Sequence, residues 1–163
     1  MEQEPNSVSK ELQEMYDADQ EDRANWRTGT DWETVRPRDN ARLKRIEELY
    51  ARGLLQTPDD MYNAAMIYQH GDKPEHYLRA MELSRKAGER GHPDGKRFSA
   101  LAEDRYLLSI GKAQIWGTQF SRKTADGPWR LTEPFESGTK TDAERKEIGL
   151  TDIEEKLKDL NSK

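Results

Sequence analysis

The chain has no cysteine, and that absence excludes disulfides, thiol catalysis and thiolate metal sites. No apolar run approaches the roughly 18 to 20 residues that a membrane span needs. There is no excess of positive charge: 27 Lys and Arg stand against 32 Asp and Glu, for a net charge of -5. Nucleic-acid binders usually carry a basic surplus or face that replaces phosphate counterions, so no nucleic-acid partner is expected. No phosphate-cradling glycine loop and no G-x-S-x-G elbow occurs, which leaves nucleotide hydrolysis and serine-hydrolase chemistry without support. Apolar residues are scarce too, at 33%, with a mean hydropathy of -1.16. The N-terminal MEQEPNSVSKELQ is acidic and lacks the basic start and apolar stretch of a signal peptide. A cytoplasmic protein without a membrane partner is the expectation.

What is present is amphipathic helix. The 163 residues fit one domain, large enough to bury a core without staples. Residues 1–7 read as a polar, flexible tail, followed by a single helical domain over 8–160. Ser7 or Ser9 is placed to cap a first helix that reaches about Trp26. Gly29 and Pro37 mark a loop, after which Asp39 caps a second helix striped by Leu43, Ile46, Leu49 and Tyr50. Thr57 and Pro58 open a third helix, closed at Gly71. A fourth runs from Pro74 to Gly91 and a fifth from about Pro93 to Ile110. Two short β-prone runs flank ADG, which predicts a hairpin at about 113–133. A short helical DAERKEIG and a terminal helix, TDIEEKLKDL, capped by Thr151, complete the pattern. The predicted class is mainly α: a compact domain of about five helices, then a short hairpin and a C-terminal helix.

The first helix carries a puzzle. Steps of three and four residues put Val8, Leu12, Met15, Asp19, Arg23 and Trp26 on one face, with Tyr16 and Gln20 beside it and Asp22 pointing outward. The stripe begins and ends apolar, yet its middle holds a carboxylate, an amide and a guanidinium. Three further polar clusters stand out: Gln69 with His70 at the end of the third helix, Asp104 with Arg105 on the fifth, and Gln114, Thr118 and Gln119 around Gly117. Arg forks onto carboxylate or phosphate, and His exchanges a proton near neutral pH. Carboxamides orient polar ligand atoms, and a glycine lets backbone amides approach a ligand closely. The ordinary readings stand beside these. Asp19 with Arg23 is an i, i+4 helix pair, and Arg105 with Asp19 or Asp104 is a candidate structural salt bridge. His70 beside Gly71 favours the negative helix end, and WGTQF reads equally as a strand bulge with a satisfied glutamine. His76 and His92 read as surface or cap residues. His70, Asp72 and His76 lie close in sequence, but their spacing crosses a helix stop and start and matches no metal motif, so no metal and no cofactor is indicated.

The segments DADQEDR, RDNARLKRIEELYARG, YQHGD, LAEDRYLLSIGKAQIWGTQF and DAERKEIGLTDIEEKL resemble, in order, those of an uncharacterised bacterial family, a domain of unknown function. The resemblance runs from about Tyr16 to Leu157. Its most specific elements are Asp19-Gln20 with Arg23, Gln69-His70, Asp104-Arg105, Gln114 and Gly117-Thr118-Gln119. It implies no reaction. What it implies is a site, because the shared pattern is polar and has no Leu or Val stripe. A weaker local likeness links AMELSRKAGERGHPDG to one helix pair of Sel1-like or tetratricopeptide repeats, whereas solenoids need about three units.

Two functions follow as expectations. One is an enzyme or binding protein for a polar, anionic or amide-containing small molecule or peptide. In that reading His70 is the general acid/base, Asp19 orients it, and Arg23 and Arg105 clamp the anion. Gln20, Gln69, Asp104, Gln114, Thr118 and Gln119 complete the ligand-binding set. The other is a helical protein–protein interaction module without catalysis, in which the polar network enforces packing.

Overall fold

A computed structural model describes residues 5–26 and 29–162. Among them are seven helices and one two-stranded hairpin, a mainly α protein. The helices are α1 (Pro5–Asp22), α2 (Trp32–Ala51), α3 (Pro58–Gln69), α4 (Pro74–Glu89) and α5 (Gly95–Ser109). Strands β1 (Phe120–Ser121) and β2 (Arg130–Leu131) follow, then α6 (Asp142–Glu147) and α7 (Ile153–Asn161). No described helix is long and apolar enough to cross a membrane.

Local chemistry explains most boundaries. Thr57 and Asp60 form a reciprocal capping box with Pro58 at the first position of α3, which satisfies two orphan N–H groups. The apolar stripes of α1, α2, α3, α4 and α5 then meet in one core, where Val8, Leu12, Ile46, Leu49, Ala64, Ala80 and Ala102 are wholly buried. Small residues set the closest crossing. A Cβ added to Gly95 would stand 2.6 Å from the Ser84 carbonyl oxygen and strike the Gly88 backbone, so the backbones of α4 and α5 touch where any larger residue would part them.

Four boundaries depart from the expected ones. The tail expected over 1–7 is helical from Pro5, since proline suits the first helical position; residues 1–4 lie outside the described residues. The first helix gives way after Asp22 to tighter i→i−3 turns through Trp26, which swing Arg23 toward α2. That second helix starts at Trp32, capped by Asp31 through the Thr34 N–H, and carries Pro37 inside it. The carbonyl that Pro37 leaves without an i+4 donor is that of exposed Glu33 in the first turn, where water serves. Finally, the last helix is capped by Asp152, whose Oδ1 accepts from the N–H groups of Glu154 and Glu155 at 2.9 and 3.3 Å, not by Thr151.

The hairpin pairs Phe120 with Leu131 and Ser121 with Arg130 in antiparallel register. Asn161 of α7 holds Trp129 through both backbone groups, and the Trp129 ring meets Trp26 edge-on at 5.7 Å. The region after α5 thus folds back over the end of α1.

Candidate functional site

The C-terminal end of α1 meets the C-terminal end of α3. Asp19, 1% exposed, accepts from Gln20 Nε2 at 2.9 Å and Arg23 Nη1 at 3.1 Å. Its Oδ1 also lies 2.8 Å from His70 Nδ1. A carboxylate only accepts, so the proton between them sits on Nδ1 of the imidazole. Nε2 is then the nitrogen left without a partner among the described residues. His70 is the C-cap of α3, which is why a histidine can stand at this corner with one edge anchored and the other open.

Arg23 lines the cleft with its charge already engaged by carboxylates. Its guanidinium binds Asp39 through two hydrogen bonds, at 3.0 and 2.7 Å, besides Asp19. Asp22, expected to point outward, instead binds Arg42 at 2.9 Å and Arg38 at 2.6 Å. These pairs tie α1 to the start of α2, and the charge of Arg23 is committed to them. Burial acts to raise the Asp39 carboxyl, but the guanidiniums of Arg23 and Arg42 outweigh it and hold the group below its ordinary value. Arg105 is the contrast. It is half-buried, lies over the Tyr77 ring at 5.2 Å, and has no ion pair among the described residues, with Asp19, Asp104 or any other carboxylate.

Arg23, Trp32, His70 and Arg105 line both halves of an open cleft. One half, about 710 Å³, adds an apolar wall of Tyr62, Met66, Phe98 and Leu101, with Gln20, Gln69 and Gln119. The other, about 740 Å³, is polar and includes Arg36, Asp39 and Asn40. Burial pushes the Tyr62 phenol up to about 12, so it stays protonated. Two glutamines finish the site in the same way: Gln69 Nε2 at 3.5 Å and Gln119 Nε2 at 3.3 Å both reach the Leu101 carbonyl. The Oε1 of Gln69 is buried with no hydrogen-bond partner, an arrangement that ordinarily costs stability.

Three predicted site residues do not join the cleft. Asp104, fully buried, takes the N–H groups of Ile115 and Trp116 on one oxygen, at 2.8 and 2.9 Å. Its other oxygen takes the N–H and hydroxyl of Thr118, at 3.0 and 2.7 Å. Burial pushes this carboxyl up, and the bonds from Trp116, Thr118 and Ile115 pull against that rise. Gln114 is equally buried and satisfied: its oxygen accepts from Thr118 and Gln119, and its Nε2 donates to the carbonyls of Gln119 and Thr132. Thr118 is spent on Asp104. These residues shape the loop that carries Gln119. Gly117 lines neither half of the cleft. Its φ is +73°, and a Cβ added there would stand 2.5 Å from Ile153 Cδ1, so glycine is a packing requirement.

Of His70, Asp72 and His76, the last two lie close, with Asp72 Oδ1 3.7 Å from His76 Nδ1, while His70 turns its Nδ1 to Asp19. His76 is buried and its Nδ1 accepts from the N–H groups of Asp72 and Lys73, capping α4, while His92 stacks on Tyr62 at 4.0 Å. Among the described residues no group of three or more His, Cys, Asp or Glu could hold a metal ion. Among the described residues neither half of the cleft is lined by serine, threonine or cysteine. Sequence reasoning missed Trp32 and Asp39, because Pro37 pointed to a loop there. It also left Tyr62 unassigned, since an aromatic on a helix face reads as core.

No protein-family model, curated protein or solved structure matches the chain.

Proposed function

We propose that the protein binds a small anionic molecule or peptide terminus bearing amide or amine N–H groups, with the anion on Arg105 and the donors on the Oε1 atoms of Gln69 and Gln119. The observation that carries this reading is Arg105. Arg23 and Arg42 beside the cleft have their carboxylates, whereas Arg105 faces the shared waist of both halves with none among the described residues. A guanidinium in that position has a bidentate site open for a carboxylate or phosphate. His70, oriented by Asp19, presents Nε2 to the same space and is suited to accept or return a ligand proton. Arg23 holds the wall in place instead of clamping the ligand.

The test is calorimetric titration with N-acetyl amino acids, acetate and N-methylacetamide. N-acetyl amino acids should bind more tightly than either fragment, and Arg105→Gln should weaken them at least about tenfold, the cost of one charge-assisted pair. Equal binding by parent and variant would refute the assignment. Trp26 and Trp32, 42% and 46% exposed at the cleft, favour a second reading in which the occupant is a segment of a protein partner. A peptide that binds while every small anion fails would select it.

A further inference from the structure

Arg97 and Leu101 also line a second, smaller cavity, of about 120 Å³, between α5, the Gly117 loop and the α6–α7 region. Its most unusual wall is Arg145, on the short helix α6 yet only 7% exposed. Two of its nitrogens are used: Nε donates to the Trp116 carbonyl at 2.8 Å and Nη2 to the Thr151 carbonyl at 2.9 Å. Among the described residues Nη1 has no hydrogen-bond partner and Arg145 has no ion pair. Nη1 is not sealed from solvent, so a guanidinium otherwise met by two carbonyl dipoles keeps one edge open to a counterion. Arg97 and Lys156 line the same cavity, and no Asp or Glu does. The carboxylate paired with Arg97 is that of Asp94, half-exposed and at a loose 3.7 Å.

We propose that this cavity is a binding site for a tetrahedral oxyanion: phosphate, sulfate or the phosphoryl group of a small ester. Arg145 supplies its buried charge through Nη1, and Arg97 and Lys156 close it from the surface. The cavity, about 120 Å³, has room for a small oxyanion. Three cations around so small a space match the charge of phosphate better than that of a carboxylate, which one arginine fork satisfies. The site shares Arg97 and Leu101 with the Arg105 cleft but does not rest on its assignment.

The experiment is a two-dimensional amide NMR titration of the full chain with inorganic phosphate, methyl phosphate and chloride at matched ionic strength. The amides of Gly117, Thr118, Gly149 and Thr151 should shift together and saturate with phosphate. Lys156→Gln, an exposed change that keeps the fold, should weaken this binding by about 3- to 10-fold, while Arg105→Gln leaves it unchanged. Saturation by methyl phosphate as well assigns the site to esters, and saturation by phosphate alone assigns it to the free ion. Shifts that follow chloride without saturating, that map to His70 and Gly71 instead, or that ignore Lys156→Gln would overturn the proposal.

Discussion

Replacing Asp104 with alanine tests whether this residue holds the loop or serves a ligand. The carboxylate is the acceptor for the N–H groups of Ile115 and Trp116, and alanine leaves both stranded. Thr118 suffers less, since its N–H keeps Gln114 Oε1 at 3.0 Å and its hydroxyl can rotate. Each stranded donor costs about 1–3 kcal/mol, so the gross loss is about 2–6 kcal/mol. Removing a buried carboxylate returns part of that, because its own desolvation no longer has to be offset, and about 2–4 kcal/mol remains. At roughly 2–4 °C per kcal/mol for a chain of this size, the melting midpoint should fall by about 4–16 °C. Circular dichroism at the helical minimum, followed through the melt, measures it. A ligand-facing carboxylate behaves in the opposite sense: its removal leaves stability unchanged or raised. Asp104→Ala melting within about 2 °C of the parent would therefore refute the structural role and return Asp104 to the site.

Gln69→Leu removes a buried amide whose oxygen has no partner and should raise the midpoint by about 2–4 °C, while the affinity measured by calorimetry falls. His70→Ala should melt within a few degrees of the parent, because Asp19 keeps Arg23 and Gln20, while the affinity measured by calorimetry falls. Gly117→Ala, at φ +73° with Ile153 in the way, should cost about 1–3 kcal/mol in denaturant unfolding. Asp39 is held below its ordinary value by Arg23 and Arg42 against burial. Its contribution is therefore present above the unfolded carboxyl pKa of about 3.9 and is lost as pH falls through the lower folded value. Asp39→Asn should accordingly melt lower than the parent at neutral pH, with the difference shrinking toward about pH 3.

The fold was legible where the signal was local. Thr57 and Pro58 announce α3 because a cap needs only four consecutive residues, and ADG announces the hairpin because a turn does. The start of α2 was not legible: Pro37 reads as a breaker, and only the long-range pairs of Arg23 with Asp39 and of Asp22 with Arg42 show why the chain stays helical around it. The same pairs decide the site. Asp19, Gln20, Arg23, Gln69, His70, Arg105 and Gln119 do gather around one cleft, as spacing on inward faces suggested. Spacing says nothing of which partner a charge meets, so it could not tell committed Arg23 from Arg105, nor find Arg145.

Adjacent residues on α5 show how loop-holding and cleft-facing groups divide. Asp104 and Arg105 stand about 100° apart around the helix axis, so one turns to the loop and the other to the cleft. The carboxylate fixes Ile115, Trp116 and Thr118, and Thr118 in turn places Gln119, whose amide meets the Leu101 carbonyl one turn before Arg105. Asp104 thus acts on the cleft at one remove: it does not line it, yet it holds Thr118, whose hydroxyl accepts from Gln119 Nε2. Asp104→Asn preserves the shape but cannot accept from Thr118 at its amide nitrogen, so the Gln119 side of the cleft should loosen before the helices do. The expected signature is a weakened affinity for N-acetyl amino acids with little change for acetate, which needs Arg105 alone. Equal losses for both ligands would mean that the change spreads to α5 itself, and that loop and cation are not separately held.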